Sequence, residues 1–251
     1  MKNKYDIFNN LINKTMDGFS YYNIFDTKGI EYLIIISFLV LIIPFWVIIN
    51  KKATIKRQIR KALGVLSSSV LRIPQGIYYS RNHTWTYLEK SGNAAVGLND
   101  LLLHLTGEVK VKQVTKANSN ISRGDLVAEI ENNGKLLQIF SPVSGTVVKV
   151  NSSLNDTPEL LNEDPYGKGW IYRIKPSDWV NETASYYLAE NAVTWIRSEL
   201  DRFKDFLANS LKKHSPSTSM VILQDGGELC DKPLSELPAE VWQDFQKSFL
   251  N

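Results

Sequence analysis

The stretch Leu126-Val127-Ala128-Glu129-Ile130-Glu131-Asn132-Asn133-Gly134-Lys135-Leu136-Leu137-Gln138-Ile139-Phe140-Ser141-Pro142-Val143-Ser144-Gly145-Thr146-Val147-Val148-Lys149-Val150 decides the fold class. Leu126–Ile130, Leu136–Phe140 and Thr146–Val150 are short runs of strand-forming residues separated by turn residues. Asn133-Gly134 stands between the first two. Both residues tolerate positive φ, which marks the pair as a type I′ hairpin turn. Working outward, Ala94–Leu98 and Val109–Val114 repeat the strand signature, and Ser122-Arg123-Gly124-Asp125 reads as a further turn. Leu101–Leu105 reads as a short helical insert. Many short strands at close spacing predict a mainly β barrel or sandwich over residues 76–180.

Residues 181–251 read as a helical C-terminal extension. Within 183–213, Leu188, Ala192, Trp195, Ile196, Leu200, Phe203, Leu207 and Leu211 fall on one stripe at helical spacing. Ser215-Pro216-Ser217-Thr218 breaks it, and Asp225-Gly226-Gly227 makes a turn. A last helix is expected over 238–250, with Val241, Trp242, Phe245 and Phe249 inward. Such stripes are either core or docking faces, and pattern alone does not say which. Trp195, Phe203, Trp242 and Phe245 are the partner-binding candidates.

Residues 32–49 contain no charged side chain. At about 1.5 Å per residue these eighteen residues cover most of a ~30 Å hydrocarbon core. A secretory signal is shorter and ends in a small-residue cleavage site, whereas Asn50, Lys51 and Lys52 follow here. A single transmembrane helix is therefore expected, with Tyr32 and Trp46 near its interfaces. Lys51, Lys52, Lys56, Arg57, Arg60 and Lys61 crowd its C-terminal side, against dispersed Lys2, Lys4, Lys14 and Lys28 before it. The excess of clustered bases places residues 1–31 outside and the rest in the cytoplasm, a single-pass cell-membrane topology. Residues 50–75 form a basic juxtamembrane helix or linker. Over 51–72, Ile55, Ile59, Leu63, Leu66 and Val70 recur at helical spacing, suiting either an anionic membrane surface or a solvated connector.

Composition excludes other classes. Across 251 residues, 43% are hydrophobic and the net charge is +3, which rules out wholesale disorder and leaves no basic footprint for nucleic acid. Cys230 is the only cysteine, so neither a disulfide framework nor a cysteine-rich metal centre is available.

Several pieces between Tyr78 and Trp179 resemble the H protein of the glycine cleavage system, a lipoyl carrier. Tyr78-Tyr79-Ser80-Arg81-Asn82-His83-Thr84-Trp85 is similar to that family's first strand with its His-x-Trp pattern. Val96-Gly97-Leu98-Asn99-Asp100, then Leu105-Thr106-Gly107-Glu108-Val109, matches its strand, short helix and next strand. Ser141–Asn151 matches a second-half strand. Pro158-Glu159-Leu160-Leu161-Asn162-Glu163-Asp164-Pro165-Tyr166-Gly167 with Gly169-Trp170 is the most specific piece. The resemblance implies a lipoyl-type barrel-sandwich hybrid of two similar halves. It also implies a lysine on the hairpin between them that bears lipoate as a swinging arm.

At that lysine the chain departs from the family. Counted back without a gap from Ser141, Glu131 falls on the family's glutamate and Gly134 on its lipoyl lysine; Lys135 is one position late. A strand alternates faces, so a one-residue slip redirects a side chain unless the turn changes length. Either Lys135 is lipoylated through a re-registered loop, or Asn132-Asn133-Gly134 is simply a good turn and Lys135 a solvated strand-end lysine. The second is the expectation.

Other candidate chemistry is thin. His83, His104 and His214 are far apart in sequence; His83 is expected to be structural. Cys230 is expected to be buried as a small apolar residue. Glu129 and Glu131 share a strand face as solvated acids, and Gly226-Gly227 is too short for a phosphate loop. The chain is expected to be a non-catalytic, non-lipoylated binding or scaffold subunit of a membrane assembly, with protein partners and no metal. The alternative is a lipoate carrier modified at Lys135 that serves glycine cleavage enzymes.

Overall fold

The computed structural model describes residues 29, 31–46, 64–214, 223–224 and 228–251. The chain divides into two compact units, Met1–Lys56 and Arg57–Asn251. In the first, residues 31–46 form helix α1. Its apolar side chains are exposed on every face, Leu33 at 67% and Trp46 at 68% among them. Among the described residues no helix is long and apolar enough to cross a membrane. Residues 47–49 of the expected span, its basic flank from Lys51 to Lys61, and residues 1–28 lie outside the described residues.

The second unit is mainly β, with helices concentrated at its C-terminal end. Its elements run β1 (Val65–Leu66), β2 (Tyr78–Tyr79), β3 (Thr84–Leu88), β4 (Ala94–Leu98), α2 (Asp100–Thr106), β5 (Lys110–Gln113) and β6 (Asn120–Ile121). Then come β7 (Leu126–Asn132), β8 (Lys135–Phe140), β9 (Gly145–Val150), the short helices α3 (Ser153–Asp156) and α4 (Leu160–Glu163), and β10 (Tyr172–Pro176). Helices α5 (Trp179–Thr183) and α6 (Ala189–His214) lead to β11 (Leu223–Gln224) and β12 (Glu228–Cys230). A 3-10 turn (Pro233–Glu236), helix α7 (Ala239–Phe245) and a π turn (Gln246–Leu250) complete the described chain.

Three antiparallel sheets follow. The largest has the order β2-β3-β4-β10-β9-β6, a second β5-β7-β8, and a third β1-β12-β11. Alternation sets the faces: in β8, Leu137 and Ile139 are buried while Leu136 and Gln138 are exposed. Trp85 of β3 lies opposite Gly97 of β4, and a Cβ at Gly97 would sit 2.7 Å from the indole. Glycine there lets the ring lie flat on the neighbouring strand.

One hydrophobic cluster runs from Leu66 to Leu250. From Ala192 to Leu211 the foreseen stripe is buried on it in α6, whereas Leu188 precedes the helix and is only partly buried; Val241, Trp242, Phe245 and Phe249 close over it from the C-terminal segment. These are core faces. Trp195, Phe203, Trp242 and Phe245, read as candidates for partner binding, are 7%, 0%, 1% and 0% exposed, so no aromatic docking face remains among them. The stripe has the same period whether it covers a partner or the chain's own sheet, which is why pattern could not separate the two.

The helical reading of 51–72 fails at its end. Val65 and Leu66 are a strand, paired with Cys230 and Leu229 of β12, and Leu66 is buried in the core. Pairing with a distant strand outweighs the weak local helical period. Ile55, Ile59 and Leu63 lie outside the described residues.

Candidate functional site

The hairpin β7–β8 is where the resemblance places chemistry, and its geometry follows from its residues. Asn132 pairs with Lys135 across the ends of the strands, leaving Asn133 (φ 50) and Gly134 (φ 78) as the two central turn residues. Both φ values are positive, as a type I′ turn requires. The Glu131 carboxylate accepts from the Gly134 N–H at 3.1 Å, and the buried Asn132 amide donates to the carbonyls of Thr106 and Glu108. The root of the hairpin is fixed, and its exposed tip carries no amine.

Lys135 begins β8 on the same face as Leu137 and Ile139, the face that turns inward. It is half-buried there rather than solvated, which corrects the expectation of a free strand-end lysine. Its Nζ donates to the carbonyl of Ser235 at 2.6 Å and to that of Leu237 at 3.1 Å, and lies 5.2 Å from the centre of the Trp242 ring. Trp242 is itself fixed, its Nε1–H donating to Leu234 at 2.7 Å. Desolvation lowers the pKa of Lys135, and nearby Glu236 offsets part of the effect.

The same C-terminal segment covers the exposed edge of β8. The Gln246 side chain accepts from the Gln138 N–H at 2.7 Å and donates back to its carbonyl at 3.3 Å, occupying two backbone groups that an edge strand leaves unpaired. Asn82 donates to the Leu250 carbonyl at 2.8 Å. These residues do not fit a lipoyl-bearing arm. The tip position is Gly134, and the neighbouring amine is held by two carbonyls beneath an aromatic ring.

The other residues singled out in the sequence fall into separate structural roles. His83 is fully buried at φ 57, stacked on Trp195 and tilted against Phe249. Asn99 Nδ2 lies 3.1 Å from its Nδ1, which directs the proton to Nε2, 3.4 Å from Glu199. Burial opposes charge on Glu199, yet His83 and Arg202 together hold its pKa below the ordinary value. This contact fastens α6 to the start of β3. His214 pairs with Asp244 at 3.0 Å, joining α6 to α7. Glu129 faces Lys112 across β5–β7 at 3.6 Å, so the two acids of that strand serve a cross-strand pair and a turn cap. Cys230 is half-buried in β12; Gly226 and Gly227 lie outside the described residues.

One cluster was not singled out. His104 Nδ1 lies 2.7 Å from Asp231 and its Nε2 3.5 Å from Asp100. Burial alone would lower the His104 pKa, but the two carboxylates outweigh it and raise it to about 9. Asp100, fully buried, also takes Arg72 through Nε at 2.9 Å, Nη2 at 2.7 Å and the Arg72 N–H at 2.7 Å. Burial would raise the Asp100 pKa; His104 and Arg72 hold it below its ordinary value. Asp100 and His104 are spaced i, i+4 on α2, a signal legible in the sequence. Arg72 and Asp231, 28 and 127 positions from their partners, were not. The cluster borders a cavity of about 460 Å³ and ties the segment after β1 and the residue after β12 to α2 as a structural staple. Among the described residues no group of three or more His, Cys, Asp or Glu is placed to hold a metal ion.

Comparison with known proteins gives one answer. Residues 77–199 match the family model described as glycine cleavage H-protein. A probable glycine cleavage system H protein of Thermococcus kodakarensis is 33% identical over 127 residues, 51% of this chain and 94% of that protein. The glycine cleavage system H protein of Thermus thermophilus is 37% identical over 106 residues, 42% of this chain and 82% of its own length. A crystal structure of a glycine cleavage system H protein from Mycobacterium marinum aligns with a TM-score of 0.39 and 27% identity, covering 42% of this chain and 87% of that one. The chain belongs to the glycine cleavage H-protein family.

Proposed function

We propose that this chain is a membrane-anchored member of the H-protein family that carries no lipoyl group and serves as a binding or scaffold subunit of a membrane assembly, catalysing nothing itself. The observation that carries this reading is the placement of Lys135. A swinging arm needs an amine that projects from an exposed turn, whereas here Gly134 occupies the tip and Lys135 Nζ is bonded to Ser235 and Leu237. The uncharged run 32–49 and the exposed apolar surface of α1 support the anchor, because a helix apolar on all faces calls for an apolar surround. The clustered bases from Lys51 to Lys61 support an N-terminus outside and residues 51–251 in the cytoplasm. An anchored subunit would meet its protein partners in two dimensions, which raises their effective concentration.

A second reading, a lipoate carrier modified at Lys135 with glycine cleavage enzymes as partners, is favoured by family membership. Substitution separates the two. Arginine keeps the cation and its donors but offers no amine to acylate. Under the scaffold reading Lys135→Arg restores full function to a strain deleted for this protein. A null phenotype from Lys135→Arg, with the variant folded and present in the membrane fraction, would establish the carrier reading in its place.

A further inference from the structure

A second concave site lies away from both the hairpin tip and the His104 cluster. Four segments meet there: Ser80–Asn82 before β3, Arg123-Gly124 before β7, Phe140–Pro142 at the end of β8, and Ser185-Tyr186 before α6. They enclose a cavity of about 260 Å³. Its wall contains two guanidinium groups, Arg81 and Arg123, and no carboxylate. The acids nearest in sequence are engaged elsewhere: Asp125 accepts from the Ser122 N–H, and Glu182 accepts from the Ser144 N–H and hydroxyl.

We propose that this cavity binds a small oxyanion, a phosphate or a carboxylate, between Arg81 and Arg123. Three features support the assignment. The first is positive charge on two exposed side chains with no carboxylate opposite. Among the described residues neither guanidinium has a carboxylate partner, and each presents donors in a fork that suits an oxyanion. The second is preorganisation. Arg123 donates to the Glu182 carbonyl at 3.1 Å and lies 5.1 Å from the Tyr186 ring centre. Tyr186 is itself bonded to the Pro142 carbonyl. A side chain already held in place loses little freedom on binding.

The third feature is an excess of donors. The Ser80 and Thr84 hydroxyls bond to each other at 2.7 Å, which uses one of their two protons and leaves the other to donate. Asn82 uses one amide N–H on Leu250 and keeps the second. Free hydroxyl and amide donors beside two guanidinium groups favour a ligand rich in acceptors. Phe140, Pro142 and the Tyr186 ring add an apolar side, which suits an oxyanion that carries a short organic group.

The test is calorimetric titration of the full chain in neutral detergent with inorganic phosphate, at ionic strength held constant with chloride. A parallel titration with acetate distinguishes phosphate from carboxylate as the preferred oxyanion. Saturable one-to-one binding of either probe is expected, weakened at least tenfold by Arg81→Ala and by Arg123→Ala. Lys149→Ala, outside the cavity, should leave affinity unchanged. Arg81 has no bonding partner among the described residues, so its removal should leave the thermal transition unmoved and a loss of binding interpretable. Absence of saturable binding to both probes, or equal affinity in either arginine variant, would overturn the proposal. The outcome is independent of whether Lys135 bears lipoate.

Discussion

His104 offers the sharpest quantitative test of the way the C-terminal segment is attached. Its imidazole stands between Asp100 of α2 and Asp231, which follows β12, and its pKa rises from 6.5 to about 9 in the folded chain. A folded pKa above the unfolded one means that the protonated form stabilises the fold. The contribution is complete below about pH 6.5 and is lost as pH rises through about 9. At ~1.4 kcal/mol per pKa unit it amounts to about 2 to 3 kcal/mol at pH 7 and a few tenths by pH 9.5. The side chain is 21% exposed, so solvent screening trims but does not abolish it. His104→Gln keeps polarity and approximate size but removes the titration. Urea unfolding of the original chain and the variant in neutral detergent, at pH 6.5, 8 and 10, reads the difference directly. The gap should shrink by about 2 kcal/mol between the lowest and highest pH. A gap that is constant or grows with pH would refute the cationic staple.

Other substitutions probe the packing and the topology. At Gly145 an added Cβ would meet the Lys175 carbonyl oxygen at 2.1 Å, so Gly145→Ala must part β9 from β10 and should cost about 3 kcal/mol or more in chemical denaturation. Trp242→Ala removes a fully buried indole, strips Lys135 of its ring and takes one of two donors from the Leu234 carbonyl, which keeps the Leu237 N–H. A loss of about 3 to 5 kcal/mol is expected by the same measurement, and an unchanged midpoint would show that the segment is not seated as described. A reporter fused after Asn251 should be active on the cytoplasmic side; activity on the opposite side would reverse the orientation inferred from Lys51–Lys61.

Local patterns in the sequence carried much of the β unit. Ala94–Leu98 is a strand over the expected residues, Leu101–Leu105 lies within α2, and Asn133-Gly134 makes the expected turn, because each is governed by neighbours in sequence. The stripe of α6 was legible for the same reason. Its destination was not, since an apolar face records that something covers it but not what. Leu66 shows the opposite failure, a weak helical period overridden by pairing with a strand some 160 residues away. At the candidate site the sequence showed that Lys135 was displaced by one position from the family lysine. It could not show that Ser235, Leu237 and Trp242 enclose the amine, because nothing in a local pattern links a residue to partners 100 positions later.

The enclosed amine is the ground for proposing that this member of the family carries no lipoyl group. In the β7–β8 hairpin Glu131 caps the Gly134 N–H, and Gln246 of the C-terminal segment accepts from the Gln138 N–H on the edge of β8. Family membership by itself does not fix the chemistry, since a site is a small constellation placed on a much larger scaffold.

The most direct measurement is the intact mass of the chain isolated from its native cells, with peptide mapping across residues 126–140, under conditions in which the other lipoyl proteins are fully loaded. An unmodified Lys135 is the expected result. A lipoyl adduct on that residue would contradict the proposal and make the chain a tethered carrier.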